Sequence, residues 1–63
     1  MKKQHKYFMV IIIKCSFPDE YWYASRVGEV FKVFEPYENS CGYECASNGY
    51  TILKTDSEII NVN

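Results

Sequence analysis

The sequence lacks a long apolar run, a helical period and an even number of cysteines, and each absence excludes a class of protein. The longest apolar stretch, residues 8–13, ends at Lys14. It is shorter than the apolar region of a signal peptide and far shorter than a membrane span. Three cysteines are a poor disulfide framework. We therefore expect a cytoplasmic protein that does not associate with a membrane.

Other absences concern the body of the chain. Only three Gly and two Pro occur among 63 residues, and 48% of the residues are apolar, so the chain is not a disordered or low-complexity linker. A chain this short has room for one domain, and it typically buries only about 60% of its unfolded surface. Aromatic side chains make up 17% of the sequence and fit the need for a core of large residues. We expect a flexible basic arm at residues 1–6 and a single domain at residues 7–63.

The sequence has no strong excess of positive or negative charge. It contains seven Lys and Arg and eight Asp and Glu, which gives a net charge of −1 and a pI near 5.7. Three of the cations, Lys2, Lys3 and Lys6, lie in the arm, so the body from residue 7 onward is acidic. A duplex-binding protein is usually strongly basic, and this composition disfavours nucleic acid as a partner.

What the sequence does contain is a series of short apolar, β-branched or aromatic runs separated by turn residues. No window of ten or more residues has a period of 3.6, so the pattern predicts an all-β protein. The first run contains four consecutive β-branched residues, 10–13, and predicts a strand covered on both faces. The five predicted strands are residues 7–15, 26–35, 42–46, 50–54 and 58–62.

The connections follow from turn chemistry. Pro18 ends the first strand and begins a long loop, and Pro36 ends the second strand. Apolar residues in the second strand alternate poorly, which predicts a bend or bulge near Gly28. Asn48-Gly49 predicts a two-residue antiparallel hairpin. Residues 55–58 have the spacing of a capping box without a helical run behind it, which predicts one 3₁₀ turn.

This order of strands and loops is the layout of a small five-stranded SH3-like barrel with a long first loop, an Asn-Gly hairpin and a 3₁₀ turn before the last strand. An OB-fold has a similar strand count, but it generally needs a longer chain and a helix.

The chain also resembles a known group of proteins. Four segments together are similar to small SH3-like barrel proteins of bacteriophages and prophages of Gram-positive bacteria: Tyr21-Trp22-Tyr23, residues 27–33 (VGEVFKV), residues 49–54 (GYTILK) and residues 56–60 (DSEII). The Gly-Glu-Val strand also resembles the KOW-type barrels of ribosomal and transcription proteins. The phage resemblance implies a protein that binds, and can inhibit, a host protein such as a component of antiviral defence. It implies no catalytic residues.

The residues themselves give little support to catalysis. The single histidine, His5, lies in the predicted arm, where a Cys–His or Ser–His pair would stand on the least ordered segment. Asp19 and Glu20 are adjacent in sequence, but neighbours on an extended chain point apart. We therefore predict that the protein is not an enzyme.

The cysteines raise the question of metal binding. Cys41 and Cys45 have a spacing seen in some zinc sites, and Cys15 or His5 could complete a set. On one strand, however, residues four apart are separated by roughly 13 Å. We expect free thiols and no cofactor, and a disulfide is disfavoured in a reducing cytoplasm.

Two binding functions remain. Exposed aromatics with converging Lys14, Arg26, Lys32 and Lys54 would suit RNA or single strands, although the acidic body opposes this. Protein recognition is the favoured prediction, because Trp, Tyr and Arg most often anchor interfaces. The predicted partner-binding residues are Tyr21, Trp22, Tyr23, Arg26, Tyr37 and Tyr43.

Trp22 and one or both of Tyr21 and Tyr23 have an alternative role as core, because so small a domain needs large side chains there. Asp19 and Glu20 only hint at the acidic cluster that orients basic peptides in SH3 domains. Self-association through an edge strand is a further possibility for a small open barrel.

Overall fold

The structure, a computed structural model, describes residues 6–60, and within that range the all-β prediction is confirmed. One 3₁₀ turn, Lys54–Asp56, precedes the last strand. None of the described residues forms a helix with the length and apolar character needed to cross a membrane. The strands are β1 (Tyr7–Ile12), β2 (Val30–Phe34), β3 (Gly42–Cys45), β4 (Thr51–Leu53) and β5 (Ser57–Ile60).

All five strands belong to one antiparallel sheet with the order β4-β3-β2-β1-β5. The central strand β1 pairs with β2 from Tyr7↔Phe34 to Ile11↔Val30 and with β5 from Met9↔Ile60 to Ile12↔Ser57. The sheet is open, with β4 and β5 as its two edges.

The core lies on one face of the sheet and follows the period of two expected for strands. Val10 and Ile12 on β1 share that face, and Phe8 on the same face is partly buried. The first loop closes over this face and contributes Tyr23, which has no exposed surface. The fully buried apolar cluster consists of Val10, Ile12, Tyr23, Val33, Cys45 and Ile52.

The opposite face of the sheet explains why the second strand is apolar at both alternating positions. Phe34 points away from the core cluster and packs edge-on against Tyr7, with ring centroids 5.2 Å apart. No bulge is needed to account for the pattern. Gly28, predicted inside the strand, lies in the turn before β2 with φ +95°, a backbone conformation that glycine adopts without steric cost.

The predicted hairpin between β3 and β4 is confirmed as antiparallel, but its turn is longer than two residues. Cys45 N–H donates to Tyr50 C=O and Gly49 N–H donates to Cys45 C=O, each at 2.8 Å, so residues 46–49 form a four-residue loop. Only Gly49 in that loop has positive φ, +78°. The Asn48 side chain instead accepts a hydrogen bond from Tyr50 N–H at 2.9 Å, as an Asx turn does.

The remaining boundaries differ by a few residues. β1 ends at Ile12 rather than at residue 15, the 3₁₀ turn begins at Lys54, and β5 begins at Ser57. The predicted end of the last strand at residues 61–62, and residues 1–5 of the predicted arm, lie outside the described residues.

Candidate functional site

The first loop, residues 13–29, is held against the sheet by a buried carboxylate. Asp56, in the 3₁₀ turn, is 0% exposed and accepts three hydrogen bonds from this loop. Ser16 donates its backbone N–H to Oδ2 at 2.9 Å and its hydroxyl to Oδ1 at 2.5 Å, and the Tyr23 hydroxyl donates to Oδ2 at 2.7 Å. Burial alone would raise the pKa of Asp56, but the hydrogen bonds from Ser16 and Tyr23 outweigh it and the pKa is lowered.

Tyr23 completes this network and belongs to the core. Its hydroxyl donates to Asp56 and accepts a hydrogen bond from Leu53 N–H at 3.2 Å. Burial is the main cause that raises the pKa of Tyr23 well above its usual range, and the Asp56 carboxylate adds to it. The ring has no exposed surface, so Tyr23 is not available to contact a partner, contrary to the sequence prediction. Its ring packs instead against those of Tyr21 and Trp22.

Trp22, the preceding residue, joins the first loop to β4. Its indole Nε1–H donates to Thr51 C=O at 3.0 Å. The indole ring packs edge-on against Phe31, with centroids 5.1 Å apart, and against Tyr23 at 5.7 Å. Trp22 is half-buried and has both a structural contact and exposed surface.

Arg26 lies beside the same indole. Its guanidinium carbon is 5.9 Å from the centroid of the Trp22 ring, within the range of a cation–π contact. The guanidinium also forms an exposed ion pair with Glu29 at 3.3 Å. Arg26 therefore flanks the tryptophan with its charge already paired.

An open groove of about 560 Å³ lies between the tip of the first loop and the start of β4. Tyr50, at one side, is 60% exposed, and its ring centroid is 6.3 Å from that of Trp22. Asp19 and Glu20 are exposed, also line the groove and give it a negative charge. The residues that line this groove are Asp19, Glu20, Tyr21, Trp22, Tyr50 and Thr51.

Tyr37 and Tyr43 lie elsewhere. Tyr37 is 66% exposed in the loop between β2 and β3, and it does not line the groove. Tyr43 on β3 is half-buried and packs edge-on against Phe8, with centroids 5.0 Å apart. The predicted set is thus divided: the groove brings together Tyr21 and Trp22, with Arg26 beside them, and leaves out the others.

Tyr50 is the groove residue that sequence reasoning missed. Its position after the Asn-Gly turn predicts a strand residue next to the core, whereas the longer turn leaves it exposed before β4 begins. The signal that could have found it is the Asn48 side chain, which can hold a local turn through a bond to the backbone two residues on.

The cations predicted for a nucleic-acid surface are mostly engaged within the chain. Lys54 Nζ lies 2.6 Å from Glu35 Oε2, a hydrogen bond that raises the pKa of Lys54, and it also lies 5.4 Å from the Tyr43 ring. Lys32 Nζ is 5.2 Å from the Tyr7 ring centroid. The groove itself offers carboxylates rather than cations.

The three cysteines are free thiols with different exposure. Cys41 is exposed, Cys15 is half-buried and Cys45 is part of the core. Within residues 6–60, no three His, Cys, Asp or Glu side chains come together as a metal-binding group, and His5 lies outside this range.

No protein-family model, curated protein or solved structure matches the chain.

Proposed function

We propose that this protein is a non-enzymatic protein-binding module whose groove takes a basic segment of a partner protein. The observation that carries the proposal is the combination of exposed aromatic surface with two unpaired carboxylates: Asp19 and Glu20 line the groove and form no ion pair within residues 6–60. Trp and Tyr side chains are enriched among the residues that contribute most to protein binding. A Lys or Arg between these carboxylates and the rings of Trp22 and Tyr50 would gain both an ion pair and a cation–π contact.

The size of the groove agrees with this role. Its volume lies within the roughly 300–1,000 Å³ of sites that enclose small ligands, so it has room for a few side chains of a partner. The network around Asp56 fixes the first loop before binding, which reduces the entropy that the loop would lose on binding.

The nature of the partner is proposed from resemblance. The open five-stranded sheet, the strand order and the 3₁₀ turn are compatible with an SH3-like barrel, and the similarity to phage and prophage proteins supports a host protein in the cytoplasm as the partner. Inhibition of that host protein, for example a component of antiviral defence, is the consequence we propose.

Two tyrosines of similar exposure allow a matched test. The tagged chain, its Tyr50→Ala variant and its Tyr37→Ala variant would be used to capture proteins from a lysate of a Gram-positive host. Affinity for the purified captured protein would then be measured by calorimetry. We expect Tyr50→Ala to weaken binding at least tenfold, which corresponds to about 1.4 kcal/mol, and Tyr37→Ala to leave it unchanged. Trp22 is a poorer choice because its indole also holds the backbone of β4.

The charge of the partner is tested with Asp19→Asn and Glu20→Gln combined. If a basic segment binds, this double variant should weaken binding and reduce its dependence on salt. Loss of binding in Tyr37→Ala but not in Tyr50→Ala would place the interface on the other loop and refute the groove.

Nucleic acid remains the alternative function, and the same samples decide it. Recovery of RNA or DNA without a specific protein, with affinity that falls steeply as salt is raised, would replace the proposal. We expect no retention of single-stranded DNA, because the groove is lined by Asp19 and Glu20 and would repel phosphate.

A further inference from the structure

The two edges of the sheet are treated differently by the rest of the chain. On the β4 side, Cys45 N–H donates to Tyr50 C=O and Lys54 N–H donates to Cys41 C=O. In an antiparallel pair such bonded positions alternate, so the backbone groups of Thr51 and Leu53 point away from β3.

Side chains occupy the outward groups of β4. Trp22 donates its Nε1–H to Thr51 C=O, the Tyr23 hydroxyl accepts from Leu53 N–H, and the Ser57 hydroxyl donates to Leu53 C=O at 3.1 Å. Three of the four outward backbone groups are therefore bonded within the chain. This edge is closed to another strand.

The β5 edge has no such cover among residues 6–60. Ile13 N–H donates to Asp56 C=O, and the β1–β5 register continues from Ile12↔Ser57 to Met9↔Ile60. By the same alternation, Ser57 and Ile59 direct their backbone groups outward. Ser57 N–H is used by Lys54 C=O, but no described residue bonds to the N–H or C=O of Ile59.

The side chains of β5 do not protect this edge either. Natural edge strands are usually blocked by Lys, Pro or a bulge. Here Ile59 is 59% exposed, Ile60 is half-buried, and Glu58 is the only charged residue of the strand. Ile59 is an exposed apolar residue whose backbone N–H and C=O have no partner among residues 6–60, so this strand is suited to accept another strand.

A second copy of this chain fits the edge in one register. With Ile59 opposite Ile59 of the second copy, each residue gives one N–H and one C=O, and two hydrogen bonds form about a two-fold axis. Glu58 then faces Ile60 of the other chain, and the two Ile59 side chains contact each other.

A second register within residues 57–60 would pair Ile59 of one chain with Ser57 of the other. This register is unfavourable for two reasons. It would require Ser57 N–H, which is already donated to Lys54 C=O. It would also place the two Glu58 carboxylates directly opposite each other, and like charges in that position are destabilising. Charge and hydrogen bonding therefore select the register centred on Ile59.

We propose that the protein forms a two-fold dimer through antiparallel pairing of β5 with β5 of a second copy, centred on Ile59. Because Trp22, Tyr23 and Ser57 close the β4 edge, residues 6–60 leave one open edge in each chain, and the pairing ends at two chains instead of continuing into a filament. This inference uses a different edge from the groove and does not depend on the proposed function.

The outward direction of Ile59 N–H provides a specific test. Ile59→Pro removes an N–H that the chain does not use internally, and proline is tolerated at such edge positions. In sedimentation equilibrium across a wide concentration range, we expect the unmodified chain and Ile59→Val to be dimers and Ile59→Pro to be a monomer with an unchanged circular dichroism spectrum. If Ile59→Pro does not fold, Ile59→Lys replaces it, because two opposed lysines repel each other.

Hydrogen exchange gives a second measurement at the same residue. The Ile59 amide should exchange slowly in the dimer and rapidly after dilution, whereas the amide of Ile60 should be protected in both conditions. A chain that is monomeric at every concentration, a dimer that persists in both Ile59→Pro and Ile59→Lys, or assembly beyond two chains would each overturn the proposal.

Discussion

The hydroxyl of Tyr23 makes two hydrogen bonds that join the first loop to the 3₁₀ turn and to β4. Tyr23→Phe keeps the buried ring and removes only the oxygen that donates to Asp56 and accepts from Leu53 N–H. A hydrogen bond to a charged group contributes about 1.5–3 kcal/mol, and the neutral bond adds about 1 kcal/mol or less. We expect Tyr23→Phe to lower the free energy of unfolding by about 1.5–4 kcal/mol. In a domain of this size, that loss lowers the melting temperature by roughly 6–32 °C.

Tyr21→Phe is the matched control. Tyr21 lies in the same loop and its ring is 5.6 Å from that of Tyr23, but no hydrogen bond of its hydroxyl is found within residues 6–60. Urea unfolding of both variants, followed by tryptophan fluorescence, should show a change of no more than about 0.5 kcal/mol for Tyr21→Phe. If the two variants are equally stable, the Tyr23 hydroxyl does not stabilise the fold.

The same network predicts a dependence on pH. The pKa of Asp56 is lower in the folded chain than the ordinary value of about 3.9 for an unfolded aspartate. The unfolded state therefore binds more protons between these two values, and the stability from Asp56 is full above about pH 4 and decreases as the pH falls through the folded pKa.

Tyr23→Phe should make the loss of stability at low pH smaller, because removal of one donor raises the pKa of Asp56 towards its ordinary value. Asp56→Asn should abolish the part of this loss of stability that comes from protonation of Asp56. Unfolding free energies measured between pH 2 and pH 7 would test both expectations. Parallel curves for the unmodified chain and Tyr23→Phe would contradict the assignment of the low pKa to this hydrogen bond.

Gly42→Ala should destabilise the β3–β4 hairpin by about 1–3 kcal/mol in thermal unfolding. A Cβ at this position would lie 2.7 Å from Thr51 Cγ2 and 2.9 Å from the Ile52 carbonyl oxygen. An unchanged melting temperature would show that β3 and β4 can move apart without a cost in stability. Trp22→Phe should cost about 1 kcal/mol or more in urea unfolding through loss of the bond to Thr51 C=O, and faster exchange at β4 should accompany it. A thiol reagent should label Cys41 in the native state and Cys45 only on unfolding, and equal labelling rates by mass spectrometry would argue against the buried position of Cys45.

The strands could be predicted because their signals are local. Short β-branched and aromatic runs separated by turn residues predict all five strands. The sequence does not show which face of β1 is buried, because residues 10–13 are all apolar, whereas the structure fully buries Val10 and Ile12 on one face only. Asn48-Gly49 also places the hairpin correctly, but the predicted two-residue turn is wrong, because residues 46–49 form a four-residue loop.

The exposure of the aromatic residues could not be predicted in the same way. Tyr23 in a loop is fully buried, whereas Tyr50 beside a strand is largely exposed. The difference arises from a contact between residues that are distant in sequence. The Tyr23 hydroxyl bonds to Leu53 on β4, 30 residues away, and the Tyr23 ring is part of the core. Loop position alone is therefore a weak guide to which rings form a surface.

Asp56 shows the same limit for a charged residue. Its place in Thr55-Asp56-Ser57-Glu58 indicates a polar turn on the surface, and the sequence predicts no role beyond that. Its burial depends on Ser16, 40 residues away, and on Tyr23, 33 residues away, which together supply three donors to the carboxylate. Without those donors, a buried carboxylate would be strongly destabilising.

The first loop connects the two proposals. By bonding to the outward groups of β4 through Trp22 and Tyr23, it closes one edge of the sheet and leaves β5 as the open edge. The same contact holds Trp22 beside Tyr50 and so forms one wall of the groove. Because the groove adjoins β4 and the proposed dimer contact is β5, at the other edge, a dimer would present two separate grooves. Tyr50→Ala should therefore still form a dimer, and Ile59→Pro should still bind the partner with the same affinity at each groove. The failure of one proposal can thus be distinguished from the failure of the other.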